Sequence, residues 1–276
     1  MVYADPVPDS LASGEHYQGL AGSLYLSPDK LAADYALVRF ARELRLFRQF
    51  CPAGRVLDVG CSTGAFLAQL ERRWPGQYER LGTDVVGVAL DHAESRGVPV
   101  RRQSFLEPPP ENRPWDAITF WAVLEHLADP HAFLRQAAAL LRPGGHCFIL
   151  VPNLRSLAVR LLGPSYRYVM PEHVNYFTAD TLRRLAARIP GLSEVHATGT
   201  HFNPMVILQD ARRGTQPATD ADRVALLRRT TGWKQRKALA PLRPLYRAAE
   251  GVLGKLGLAD NLVLVLRKEG LGPSGP

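Results

Sequence analysis

The stretch Val56-Leu57-Asp58-Val59-Gly60-Cys61-Ser62-Thr63-Gly64 constrains the fold of this chain more than any other feature. An apolar, β-branched run ends in an acid, and a glycine-punctuated turn then opens the helical pattern Ala65-Phe66-Leu67. A run of that kind fits a parallel strand buried on both faces. Glycines at 60 and 64 allow backbone conformations, and close approaches to a ligand, that a side chain would prevent. Dinucleotide-binding sheets use a related device, G-x-G-x-x-G, to set a pyrophosphate on a helix N-terminus. Here the spacing is Asp-x-Gly-x-x-x-Gly, and Asp58 stands where a ligand's cationic group would be held.

Strand and helix signals alternate downstream. Strands are expected over 55–59, 79–83, 98–102, Trp115 to Trp121, His146 to Val151, around 193–200 and over 261–267. Helices are expected over 65–74, 87–96, 130–141 and 178–188. Ser27-Pro28-Asp29 is a helix start, and Leu31, Tyr35, Val38, Leu44 and Phe47 follow at helical spacing to about Phe50. Gly97 and Arg142-Pro143-Gly144-Gly145 read as helix terminators, and the prolines of 107–111 as loop. This order predicts an α/β fold, a doubly wound Rossmann-like parallel sheet with helices on both faces and right-handed crossovers.

With 276 residues the chain can bury one full α/β core with additions. Residues 1–26 are expected to form a flexible arm or lid, 27–268 a single domain, and 269–276 a disordered tail. No apolar run approaches the roughly 18 residues that span a bilayer, and no signal peptide is read at the start, so a cytoplasmic location is expected. Cys51, Cys61 and Cys147 are too scattered for a disulfide framework or metal cage and read as buried hydrophobes. Charge is uneven: residues 1–150 hold 15 Lys/Arg against 17 Asp/Glu, a balance of −2, and residues 151–276 hold 19 against 9, a balance of +10. Much of that excess sits in 205–258, read as a basic helical insert before the last strand. A solvated arginine face, a surface for a phosphorylated or carrier-linked acceptor, and RNA binding are its three readings.

The Asp58–Gly64 pattern resembles motif I of the class I S-adenosylmethionine-dependent methyltransferases. The segment Trp115-Asp116-Ala117-Ile118-Thr119-Phe120-Trp121-Ala122-Val123-Leu124-Glu125-His126-Leu127 is similar to the fourth strand of type 11 and type 23 methyltransferases, including those of ubiquinone biosynthesis. The resemblance implies a mostly parallel sheet with an antiparallel last strand, and S-adenosylmethionine as cofactor. Asp58 would orient its ammonium group, with the backbone of Gly60, Cys61 and Gly64 alongside. Asp84, followed by Val85 at the end of strand two, would accept from the ribose hydroxyls. Ser104 and Phe105 would bracket the adenine, although Phe105 also reads as core. Trp121 would lie at the strand edge facing the sulfonium methyl.

Glu125 and His126 fall near the donor or acceptor in this resemblance, or else form a helix cap or supporting pair. The segment Pro171-Glu172-His173-Val174-Asn175-Tyr176-Phe177 is similar to one beside the family's acceptor pocket. His173, and less directly His126, are thus the candidate bases for an O-methylation, and a structural histidine tying the loop to the sheet is the alternative. No metal ion is expected. The acceptor is expected to be a small molecule, anionic or carrier-linked, with a quinone-like or sugar acceptor in view. A membrane surface is possible but not favoured as a partner, and nucleic acid is disfavoured because no RNA-binding module is present. A nicotinamide dehydrogenase is disfavoured by the missing G-x-G-x-x-G. An RNA or protein methyltransferase, and a cofactor-binding protein without transferase activity, remain open at this point, as does the identity of the accepting atom.

Overall fold

The structure is a computed structural model that describes residues 2–4, 6–12, 15–20, 25–107, 113–214 and 243–270, with residues 225 and 232. Seven strands form the central sheet: β1 (Gly54–Val59), β2 (Tyr78–Thr83), β3 (Val100–Arg101), β4 (Trp115–Trp121), β5 (Leu141–Pro152), β6 (Leu192–Thr200) and β7 (Asn261–Lys268). Their spatial order is β3-β2-β1-β4-β5-β7-β6. Pairing is parallel from β3 through β5, and β7 runs antiparallel to both β5 and β6. The expected doubly wound sheet with an antiparallel last strand is what the chain forms.

The strand patterns explain the layers. Alternate residues of β4 face opposite ways, and both sides are apolar: Ile118 and Phe120 enter one core, Ala117 the other. The first core packs Leu134 of α5 (Pro130–Leu140) and Leu182 of α7 (Ala179–Ala186) against the sheet. The second packs Phe47 of α2 (Ala41–Phe50), Phe66 and Leu70 of α3 (Ala65–Arg73) and Ala93 of α4 (Gly87–Ser95). Helix starts are capped as their sequences direct. Asp129 accepts from Ala132 N at 2.9 Å, and Thr178 forms a reciprocal capping box with Thr181.

Two expectations are corrected. The helical spacing from Ser27 to about Phe50 is two helices, α1 (Pro28–Asp34) and α2, because the buried Gln69 amide donates to the carbonyls of Asp34 at 3.0 Å and Ala36 at 3.1 Å. Those bonds draw the chain out of the helix between them. The Arg142-Pro143-Gly144-Gly145 segment follows the helix end at Leu140, as a terminator should, but β5 starts earlier than His146 and includes that segment: Leu141 pairs with Trp115 and Arg142 Nε donates to Asp116 at 2.5 Å. The described residues of the 1–26 arm or lid pack on the domain. Val2 and Tyr3 pair antiparallel with Tyr176 and Asn175, and short helices follow at Asp9–Ala12 and Glu15–Leu20.

The periodicity also misses a short helix, α6 (Leu157–Leu162). Of the 205–258 insert, α8 (Pro204–Arg213) and α9 (Arg243–Lys255) are described; the arginine-rich stretch containing Arg228, Arg229, Arg236 and Lys237 lies outside the described residues, as do 271–276 of the tail. No helix among the described residues is long and apolar enough to cross a membrane.

Candidate active site

The strand order reverses between β1 and β4, both of which end at the same edge of the sheet. In open α/β sheets, ligands bind in the crevice outside the strand C-termini at such a switch point. Asp58 lies beside Gly82 of β2 and Thr119 of β4 in the register. Its side chain is buried, and Thr119 Oγ1 donates to it at 2.5 Å. Burial, with the Asp84 charge adding to it, pushes the Asp58 carboxyl up to about 7. An ammonium group would reverse that shift, so the site suits a cationic ligand.

The turn after β1 is built for close approach. Gly60 has φ +70°, and a Cβ there would stand 2.6 Å from Val123 Cγ2. The Gly60 and Cys61 amides both donate to Thr83 O, at 2.8 and 3.1 Å. Gly64, at φ +74°, ends the turn and starts α3. Asp84 holds the turn from the neighbouring strand: one oxygen accepts from Ser62 N at 2.8 Å, the other from Val86 N at 2.9 Å. Burial raises the Asp84 carboxyl even so. The Ser62 hydroxyl and the Trp121 indole N–H are buried polar groups without a hydrogen-bond partner in the structure. A cradle that a Cβ would fill, a buried carboxyl lacking a cation and orphaned donors fit an amino-acid-bearing nucleoside.

The remaining sequence candidates fall as follows. Val85 is exposed beside Asp84, and Ser104 is exposed with its Oγ accepting from Leu106 N at 3.3 Å. Phe105 is buried against Phe120 and stacked on Phe133, a core position. Trp121 is half-buried against Phe66 and Phe148, at the end of β4.

Glu125, His126 and His173 come together beyond β4. Asn175 Nδ2 donates to Leu124 O at 3.3 Å and Leu127 O at 2.6 Å, tying the single turn Leu124–His126 to the 173 loop. The two imidazoles meet edge to face at 4.7 Å. His126 Nδ1 lies 2.9 Å from Glu172 O, and His173 Nδ1 2.9 Å from Tyr168 O. Glu125 is buried with both oxygens unpartnered, and desolvation pushes its carboxyl up to about 8. One ligand atom from each of the three residues lies within 4.8 Å of the others, so this group could hold a metal ion.

Sequence reasoning missed Tyr17, whose hydroxyl donates to Glu172 O at 3.3 Å and lies 3.1 Å from His126 Nδ1. Its ring also packs on Val86 and Ala89, so residues 15–20 lie across the crevice between β2 and the 173 loop. It missed Thr119 as well. Only the register of β1 against β4 reveals that partner, and neither position carries a local signal.

The fold and this crevice define a nucleoside-binding, doubly wound α/β protein. The chain belongs to the methyltransferase domain family Methyltransf_23, whose model matches residues 33–189, more than half of its length. It is a class I S-adenosylmethionine-dependent methyltransferase. The ubiquinone biosynthesis O-methyltransferase of Aeromonas salmonicida (strain A449) is 30% identical to it over 164 residues, covering 55% of this chain and 68% of that protein. Two solved structures share the fold at low identity. A methyltransferase from Thermotoga maritima has a TM-score of 0.56 at 16% identity, covering 94% of this chain and 98% of its own. The N-methyltransferase NodS from Bradyrhizobium japonicum, in complex with S-adenosyl-L-homocysteine, has a TM-score of 0.53 at 16% identity, covering 92% of this chain and 98% of its own.

Proposed function

We propose that this methyltransferase O-methylates a hydroxyl of a small-molecule acceptor bound between the end of β4 and the 165–178 loop. The observation that carries the reading is the Glu125–His126–His173 cluster, a polar group set beside the apolar end of the sheet where a hydroxyl proton must be handled. The similarity to a ubiquinone biosynthesis O-methyltransferase supports oxygen as the accepting atom. Asp58 orients the cofactor's ammonium group, and the backbone of Gly60, Cys61 and Gly64 makes room for its amino-acid end. Asp84, with Val85 beside it, receives the ribose, while Ser104 and Phe105 stand on the adenine side and Trp121 walls the methyl.

Held by Asp58, Asp84 and the Gly60–Gly64 turn, S-adenosylmethionine would supply a methyl group activated on a sulfonium, with a neutral thioether as leaving group and the acceptor oxygen as nucleophile. The protein holds the two partners in line, excludes water and removes the acceptor's proton at the His126–His173 pair. Tyr17, bridging His126 and the Glu172 carbonyl, closes the crevice over them. The balance of +10 in residues 151–276 favours an anionic or carrier-linked acceptor. Reaction in the cytoplasm, with a membrane surface not favoured and nucleic acid disfavoured as partners, completes the reading.

The test is transfer of a labelled methyl group to phenolic, sugar-hydroxyl and amine acceptors, and to RNA and protein, in parallel. Label in hydroxylated small molecules is expected. Label in amines or polymers alone overturns the proposal.

A further inference from the structure

Among the described residues, three other than glycine have a left-handed backbone: Ser62 at φ +49°, Ala122 at φ +59° and His201 at φ +62°. They follow β1, β4 and β6, all at one edge of the sheet. Such a conformation persists only where its surroundings over-determine it. Around Ser62 those surroundings are explicit. Gly64 N donates to Cys61 O at 2.9 Å, which closes a tight turn over Ser62 and Thr63, and Ser62 N donates to Asp84 at 2.8 Å.

A further tie comes from outside the sheet. Tyr35 Oη donates to Thr63 O at 2.5 Å, so the Thr63–Gly64 peptide is held by both its carbonyl and its N–H. Burial raises the Tyr35 hydroxyl above its ordinary value, and it therefore stays a donor. Core packing does not account for this residue. Tyr35 lies outside both apolar cores, with its ring edge-on to the His92 imidazole at 5.9 Å and the Arg96 guanidinium over it at 4.9 Å.

The aim of Tyr35 is set by α3. The Gln69 amide takes the carbonyls of Asp34 and Ala36 on either side of it, and Arg73 Nη2 donates to Leu37 O at 2.6 Å. Both side chains belong to the helix that the 61–64 turn opens. That helix thus grips the elbow between α1 and α2 and points its tyrosine back at the turn.

We propose that Tyr35 is a positioning residue of the cofactor site, whose hydroxyl holds the Cys61–Gly64 turn in the strained form that receives the cofactor's amino-acid end. The inference rests on the placement of that end at the turn. Without the hydroxyl, the turn relaxes in the free protein. A ligand must then restore the strained form, and affinity falls by the cost of doing so. Asp84 keeps its bond from Val86 N at 2.9 Å, so the ribose side is disturbed less.

The experiment compares Y35F with Y78F in the full-length protein. Tyr78 Oη donates to Cys51 O at 2.7 Å, a bond of the same kind at the opposite edge of the sheet. S-adenosylhomocysteine affinity is measured by calorimetry, stability by thermal melts without ligand, and exchange of the 60–65 amides by mass spectrometry. Each variant should lose some thermal stability. Only Y35F should weaken S-adenosylhomocysteine binding, by at least about fivefold, and speed exchange at 60–65 in the free protein. Saturating S-adenosylhomocysteine should remove that difference in exchange. Y35L takes the place of Y35F should the latter fail to fold. Affinity within about twofold of wild type, or an equal loss in Y78F, overturns the proposal. D58N, measured in parallel, separates this result from the placement it rests on. Unchanged affinity in both D58N and Y35F removes the placement and the proposal together, whereas weakened D58N beside unchanged Y35F removes the proposal alone.

Discussion

Thr119 Oγ1 donates to Asp58 Oδ1 at 2.5 Å across the β1–β4 pair, with both side chains buried. One hydroxyl therefore steadies a carboxyl that burial has brought to about 7, close to neutrality. Ionisation of Asp58 and arrival of a ligand cation are coupled, because each favours the other.

Binding of S-adenosylmethionine should accordingly depend on pH. Below about 7 the free protein holds Asp58 protonated, and binding the ammonium must release that proton. Affinity is expected to fall by up to about tenfold per pH unit below that point and to level off above it. D58N should flatten the profile and weaken binding. Calorimetry in buffers of different ionisation enthalpy, between pH 5.5 and 8.5, counts the proton. A flat wild-type profile would separate Asp58 from the ammonium.

The turn-holding bonds of Asp84 and its proposed ribose contact can be separated by substitution. D84A removes the acceptor for Ser62 N and Val86 N, and with it the proposed ribose contact. It should cost about 1–3 kcal/mol of cofactor binding and a further 1 kcal/mol or so of stability. D84N keeps one carbonyl oxygen and should retain more of the stability than of the affinity. Thermal melts with and without S-adenosylhomocysteine measure both effects.

Gly60 should not tolerate a side chain. At φ +70°, with Val123 Cγ2 2.6 Å from the added Cβ, G60A is expected to lose about 2–4 kcal/mol and most cofactor affinity. Gly76 has the same φ but nothing within 4 Å, so G76A should cost only about 1 kcal/mol. Adding V123A to G60A should restore part of the difference. Equal effects at 60 and 76 would mean that the close approach carries no weight.

The Glu43–His201 pair predicts a pH dependence of stability away from the site. Glu43 is buried; burial alone would raise its carboxyl, but the His201 imidazole, with Nε2 at 2.6 Å, brings it down to about 2. The folded value lies below the ordinary glutamate value of 4.5, so this stabilisation is present above about 4.5 and is lost as pH falls toward 2. E43Q should destabilise the neutral protein by on the order of 2–3 kcal/mol, with wild type and variant converging in that acidic window. Urea titrations at several pH values give the two curves.

The strand and helix order, the Asp58–Gly64 turn and Asp84 were legible in the sequence because each is local. Apolar period, caps and glycine spacing act within a few residues, and Asp84 closes a strand that its own pattern defines. The break between α1 and α2 was not legible, since the Gln69 amide that takes the Asp34 and Ala36 carbonyls lies far along the chain. Nor was the Thr119 bond, which depends on strand register. Glu125, His126 and His173 were each visible as residues, but their meeting, and the two carbonyls that orient the rings, required the 173 loop to dock on the end of β4. Local pattern thus specified the sheet and the Asp58–Gly64 turn. Contacts between segments distant in sequence decided which polar groups were buried together, and with them the chemistry on the acceptor side.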